Sequence, residues 1–445
     1  MAPAKEVDSL RPINFIIFVR RNENIDMLYR LINPLARIAV YIFFRKIYFI
    51  HPARIPRNKP VILAVNHPTA FLEPIVLAVL LRQPLYFLVR GDFFKKPMFN
   101  RLLRSLNMIP LHRLEDSGYE KAKDNFSTLE ACYQGLKDNK TIMVFPEGHT
   151  INEKRLRPIK KGLGRVALGA LDRFPELEDV YIVPVGANYT YPDRPRKEIM
   201  IHFGEPFSTR DLSTENRQRS VNNFTATLTD HMSKQLIIVQ NPADDLLAER
   251  LLVMNRSVYP EGILPIKSSQ NRMFSAEQQI TAQLNAMDEE EKEDLSTHVA
   301  TYFKALEEHQ VQDYALVQEL PRSLPGILLL ILGFLPAQLG YYFCLLPSRT
   351  GRVIAEKKIK QIEYQIPVRM AITWMLFLLY FLFWLLASIV TGAWGIFVVA
   401  LVLGVMGYFS LLYQEWRAQW RVFSRWKKLP ETVKHQLLEL RKMAQ

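Results

Sequence analysis

The stretch "NHPTAFLEP" (66–74) places Asn66, His67 and Glu73 within eight residues, directly after the apolar run "VILAV". A histidine with a carboxylate in reach is a proton-transfer pair, part of a metal site, or ordinary loop chemistry. A strand over "VILAV" delivers Asn66 and His67 to the C-terminal edge of a sheet, where open α/β folds place their sites. Pro68 biases His67 toward extended backbone, so its ring projects from a turn. Glu73, followed by Pro74, suits the first turn of a helix. From there its carboxylate can orient and charge-stabilise an imidazole acting as general base on a hydroxyl. Taken alone, the two residues also fit a plain loop and a decorated helix start.

A second stretch, "VFPEGHT" (144–150), follows an apolar run, turns at Gly148, and leads into Lys154, Arg155, Arg157, Lys160, Lys161 and Arg165. Cations beside a turn and a helix start can hold a phosphate. The same set reads equally as a solvated basic face or a patch for anionic lipid. "NMIPLHR" (107–113) adds Arg113 straight after a strand. "IVPVG" (182–186) reads as a core strand broken by Pro184, which predicts a sheet edge or strand end there.

The elements that must position these residues are short apolar runs ending in turn signals: "PVILAVN", "PLYFLVR", "NMIPLHR", "TIMVFPEG", "VYIVPVGANY" and "IMIHFGEP". Helical patterns lie between them, over "YEKAKDNFSTLEACYQGLKDN" and "KKGLGRVALGALDRF". Alternating strands and helices predict a mainly parallel sheet flanked by helices over residues 55–207. Before it, residues 1–54 contain an apolar segment interrupted by Arg30, Arg37, Arg45 and Lys46. It reads as an interfacial amphipathic helix or hairpin, or as a helix packed on the domain. Residues 208–323 are polar and mostly helical, with no catalytic pattern.

The four blocks, in this order, resemble the glycerol-phosphate and lysophosphatidate acyltransferase family over roughly residues 35–207. That family carries a His-x4-Asp block, a block ending in Arg, an "FPEG" block and a late "PV" block. The resemblance implies His67 as the base that deprotonates the acceptor hydroxyl, with Glu73 orienting it. It implies Arg113, Glu147 and Gly148 as binders of the acceptor's glycerol phosphate, and associates Pro184 with the acyl donor. Two departures stand out. Five residues separate His67 from an acid that is Glu, and its longer side chain can offset the shifted backbone. His149 and Thr150 follow the "FPEG" block where relatives often have Thr-Arg-Ser, so Arg155, Arg157 or Lys160 is the expected replacement charge.

The remaining composition bounds the class. The 445-residue chain has a formal net charge of +13, which favours anionic partners. It lacks a nucleic-acid-binding motif, and its basic residues gather beside apolar segments. Cys132 and Cys344 are expected to be unpaired, no Cys/His spacing suggests zinc, and no G-x-S-x-G elbow is present. The start "MAPAKEVDSL" does not read as a signal peptide. Leu324–Pro347 and Met370–Gln414 carry no charged residue, and the second run is long enough for two spans. The first contains Pro325, Pro336 and Pro347 and reads as a span or a re-entrant segment; 370–413 reads as a transmembrane hairpin, and 414–445 as a basic tail. Arg349, Arg352, Lys357, Lys358 and Lys360 precede the hairpin and Arg417, Arg421, Arg425, Lys427 and Lys428 follow it. Positive flanks on both sides of a two-helix hairpin place them, with the soluble domain, on the cytoplasmic face. The expectation is a membrane-bound O-acyltransferase of phospholipid synthesis. It would move a fatty acyl group from acyl-CoA or an acyl carrier protein thioester to lysophosphatidate or glycerol 3-phosphate, using no metal and no cofactor. The rival readings are a non-catalytic membrane tether that binds anionic lipid, and an acyltransferase with a different lyso-lipid acceptor.

Overall fold

The computed structural model describes residues 23–81, 83–111, 125–190, 196–259, 264, 266–319 and 324–445. Strand β2 (Val61–Val65) is buried along its whole length, as a central parallel strand covered on both faces must be. Its side chains alternate. Val61, Leu63 and Val65 enter a core shared with helices α1 (Glu23–Phe43) and α2 (Leu72–Leu80). Ile62 and Ala64 enter the opposite core, packed by α4 (Asn125–Lys137), α5 (Gly162–Arg173) and α6 (Arg217–Ser233). The remaining strands are β1 (Phe44–Ile50), β3 (Leu85–Arg90), β4 (Met108–Leu111), β5 (Thr141–Val144), β6 (Tyr181–Tyr189), β7 (Lys197–Phe203), β8 (Phe207–Ser208) and β9 (Ile266–Ser268), with α3 (Pro97–Ser105) before β4.

Their order across the sheet is β4-β3-β5-β2-β6-β7-β1-β9, with β8 paired to β6. Strands β4, β3, β5, β2 and β6 run parallel, and β7 turns back antiparallel to β6. All six apolar runs singled out in the sequence are strands, and the sheet is mostly parallel but mixed. Two features differ from expectation. Residues 44–50, placed by sequence in the N-terminal amphipathic segment, form β1, parallel to β7. Their continuous burial explains the missing alternation. Pro184 lies inside central strand β6 and not at an edge. It falls where the β6 neighbour changes from β8, paired at 181–182, to β7, paired at 185–189, so its missing N–H costs no ladder bond on that side.

Helix α1 packs on the domain along one face. Arg37 donates to the Val79 carbonyl at 2.6 Å and Val40 enters the core, while Leu35, Ile38 and Ile42 stay exposed. The region after 207 is joined to the sheet through β8 and β9. It contains α7 (Asp245–Ser257), α8 (Arg272–Ala286), α9 (Glu289–Glu308) and the short α10 (Tyr314–Val317). Helix α9 starts at a reciprocal capping box between Asp288 and Glu291.

The apolar segments form α11 (Leu324–Leu332), α12 (Phe334–Lys358), α13 (Ile362–Thr391) and α14 (Gly395–Lys428). Helices α13 and α14 are long and apolar enough to cross a membrane, and Gly392 at φ 66° makes the turn between them. Helices α11 and α12 meet at a 50° bend. Gly333, at that bend, touches Phe409 and Tyr413; Phe343 stacks near Tyr380 and Trp384; Gly351 touches Thr373. The bend and α12 therefore pack along both helices of the α13–α14 hairpin. The last residues are no loose tail. Helix α15 (Glu431–Met443) buries Leu437 in a core with α9, and Arg441 donates to Asp313 at 2.8 Å.

Candidate active site

Strand β2 ends at Val65, and the next side chain closes the gap its backbone leaves. The Asn66 amide accepts from the Ala187 N–H at 2.6 Å and donates to the Ala187 carbonyl at 3.1 Å. This side-chain ladder bond holds the 66–71 loop on β6. His67 projects from the loop with its ring stacked on Phe145 at 3.7 Å, and its carbonyl accepts from the Ile151 N–H at 3.3 Å. The histidine loop and the "FPEG" loop thus brace one another.

Glu73 is fully buried in the first turn of α2. Its two carboxylate oxygens have different partners. Oε1 accepts from the Thr69 N–H at 3.0 Å, the Thr69 hydroxyl at 2.8 Å and the Tyr189 hydroxyl at 3.0 Å. Oε2 faces His67 Nδ1 at 3.2 Å. Burial and the adjacent Glu73 push the Tyr189 hydroxyl well above the ordinary phenol range, so it stays a neutral donor. With three donors holding Oε1, Oε2 is left to accept from Nδ1–H. That tautomer leaves Nε2 with a lone pair for a proton. The acid, separated from the histidine by five residues, therefore reaches it, because α2 starts at Leu72 and turns the Glu73 side chain back over the loop.

The "FPEG" block follows β5. Gly148 takes φ +76°, and a Cβ there would sit 3.0 Å from the Lys160 side chain. The positive φ favours glycine, and the flexible end of Lys160 would have to shift for any larger residue. Glu147 is buried, and burial raises its carboxyl above the usual range, countered by the backbone N–H groups of Arg157 and His67. Its Oε2 accepts from the Arg157 N–H at 3.3 Å, while Oε1 has no hydrogen-bond partner among the described residues. Lys160 Nζ lies 3.2 Å from His149 Nε2 and its N–H donates to the Pro146 carbonyl at 2.9 Å. Lys160 thus packs over the turn at Gly148.

The basic residues divide. Arg155 makes a two-pronged bond to Asp245 at 2.8 and 3.0 Å and another to Glu153 at 3.0 Å. It ties this loop to the start of α7, and its guanidinium is committed to carboxylates rather than held for a phosphate. Lys154 pairs with Glu249 at 2.9 Å. Arg157 spends Nε on Glu153 at 2.6 Å and remains about a third exposed. Pro184 is buried mid-sheet, three residues before Ala187, the partner of Asn66. Arg113 lies outside the described residues. Thr69, Phe145 and Tyr189 escaped the sequence reading as site residues. Phe145 belongs to a quoted block, but Tyr189 comes from a distant strand and nothing local marks it. Burial pushes the Cys132 thiol up to about 12, which makes it an inert core side chain.

A histidine–carboxylate pair at the C-terminal edge of a mostly parallel sheet, braced by an "FPEG" turn, defines an α/β domain equipped for proton transfer to or from a hydroxyl. Residues 46–188 match the Acyltransferase family model, and this segment is an acyltransferase-family domain. Two relatives are glycerol-3-phosphate O-acyltransferases 1 and 2 of Saccharomyces cerevisiae. The first is 34% identical over 88 residues, covering 20% of this chain and 12% of the relative. The second is 26% identical over 141 residues, covering 32% of this chain and 19% of the relative. The matched parts thus span less than a fifth of either relative's length. Among solved structures, the 1-acyl-sn-glycerophosphate acyltransferase PlsC from Thermotoga maritima aligns over 48% of this chain and 84% of its own, at 19% identity and a TM-score of 0.35.

Proposed function

We propose that this chain is a membrane-bound O-acyltransferase that esterifies a glycerol-phosphate-type acceptor, glycerol 3-phosphate or lysophosphatidate, with a fatty acyl group from a thioester. The observation that carries the proposal is the His67–Glu73 pair, with Nδ1 engaged at 3.2 Å and Nε2 left for the acceptor. His67 Nε2 takes the hydroxyl proton as the oxygen attacks the thioester carbon. The C–S bond then breaks, and the imidazolium returns its proton to the leaving thiolate. A positioned base of this kind contributes about 10²–10⁴-fold, and alignment of the two reactants contributes further. Arg157 and Lys160, with Arg113, supply charge for the acceptor's phosphate. The names of the yeast relatives favour glycerol 3-phosphate as the first acceptor to try. Acyl-CoA and acyl carrier protein thioesters are the donors to compare.

The catalytic domain touches both helices of the hairpin at its open end. The Ala70 N–H donates to the Glu363 carbonyl at 3.2 Å, and Arg196 pairs with Glu415 at 2.9 Å. The domain and both basic flanks therefore share one side, which the positive-inside rule makes the cytoplasmic side. The segment over α11 and α12 is then re-entrant.

The test is acyl transfer by the purified full chain from a radiolabelled acyl thioester, with each acceptor in turn, beside His67→Ala. Turnover of one acceptor by wild type, and its near-complete loss in the folded variant, is the expected result. Unchanged turnover in His67→Ala overturns the base assignment, and no turnover with either acceptor overturns the acceptor class.

A further inference from the structure

We propose a second lipid site, separate from the His67 site. It is a cleft between α11 and the end of α14 that holds an anionic glycerophospholipid of the surrounding bilayer. A cavity of about 740 Å³ opens there. One wall is apolar, built by Leu330, Ile331 and Phe334, and the last two are exposed. The other wall carries Arg417, Arg421 and Arg425 on successive turns of α14, with Trp420 beside them. The Tyr413 hydroxyl donates to the Leu330 carbonyl at 2.8 Å and fixes the two walls together.

The depth of this cleft selects its occupant. The uncharged part of α14 ends at Gln414. At 1.5 Å per residue, Arg417 lies about 6 Å and Arg421 about 12 Å beyond Tyr413, the level of lipid headgroups beside a hydrocarbon core ending near Tyr413. An apolar wall at the acyl level and a cationic wall at the phosphate level match one molecule with an acyl chain and an anionic phosphate. A free phosphate uses only the second wall. Among the described residues, Arg417 and Arg421 form no ion pair with a carboxylate, in contrast to Arg155 and Lys154 at the catalytic loop. Among the described residues, Arg425 makes a weak bond, 3.4 Å to the Gln310 carbonyl. The proposal does not depend on acyl transfer; it depends on α14 crossing the bilayer.

The experiment titrates the full chain in detergent with dioleoyl phosphatidylglycerol or dioleoyl phosphatidylcholine, reading bound lipid by native mass spectrometry. The Arg417→Gln/Arg421→Gln double variant is measured beside wild type. Each basic residue near an anionic surface contributes about fivefold, so the expected loss is about 25-fold for phosphatidylglycerol, with little change for phosphatidylcholine. Arg417→Gln and Arg421→Gln are also measured singly, and each should lose about fivefold in phosphatidylglycerol binding. These single variants keep the test open if the double variant does not fold. Equal binding of the two lipids by wild type overturns the proposal. So does unchanged phosphatidylglycerol binding in the folded double variant, or in both single variants. Full displacement of phosphatidylglycerol by millimolar inorganic phosphate would reassign the cleft to a free anion and overturn it as well.

Discussion

Replacing Glu73 by Gln tests the active-site reading with little change in shape. The carboxylate has two unlike oxygens: Oε1 takes three donors from Thr69 and Tyr189, and Oε2 takes one from His67. A glutamine must put its oxygen at the three-donor position, because an NH₂ there would face three other donors. Each buried hydrogen bond so lost costs about 1–3 kcal/mol, which fixes the amide orientation. The NH₂ group then points at His67 Nδ1 and forces that atom to accept. The imidazole proton moves to Nε2, and the base loses the lone pair it needs. In hydrolases that lose an orienting carboxylate to an amide this way, kcat drops about 10⁴-fold. Here we expect about 10³–10⁴-fold, equivalent to roughly 4–5.5 kcal/mol of barrier, with KM for both substrates within about threefold. The assay is steady-state acyl transfer by Glu73→Gln, His67→Ala and the double variant, with folding checked by thermal unfolding. The double variant should be no slower than His67→Ala, since the two residues act as a unit. A folded Glu73→Gln enzyme within tenfold of wild-type kcat, or losses that multiply in the double variant, would refute the tautomer argument.

Three further outcomes follow from the geometry. Tyr189→Phe removes one donor from a fully buried carboxylate and should lower unfolding stability by about 1.5–3 kcal/mol, read by denaturant titration; a loss below about 0.5 kcal/mol would mean Glu73 does not need it. Arg155→Ala breaks a half-exposed pair with Asp245 and should cost about 0.2–1 kcal/mol of stability while moving the acceptor KM less than threefold, whereas Arg157→Ala and Lys160→Ala should raise that KM. His202, which is hydrogen-bonded to Gln235, has its pKa lowered from 6.5 to about 4, chiefly by burial. Between those values the unfolded chain binds the extra proton, so stability should fall as pH drops from 6.5 toward 4. In His202→Gln that part of the pH dependence should disappear from melting curves recorded at pH 7 and 4.5.

The sequence by itself determined the local facts. Six apolar runs bounded by turn residues became strands because burial on both sheet faces demands such runs. His67 at a strand end, Glu73 at a helix start and Gly148 in a turn were legible because each depends on its nearest neighbours. The length of the uncharged run Met370–Gln414 gave room for a two-helix hairpin for the same reason. Tertiary structure decided which distant groups meet. Tyr189 reaches Glu73 across 116 residues, and no local pattern marks it. Arg155 and Arg157 look alike in sequence, but Asp245 arrives from another region and claims only Arg155. Pro184 could sit mid-sheet because its neighbour strand changes at that point, a fact of pairing rather than of composition. Strand β1 was hidden in an amphipathic-looking segment, since its partners β7 and β9 lie about 150 and 220 residues further along the chain. Periodicity reports what a residue's own segment buries; only the folded chain reports what comes to cover it.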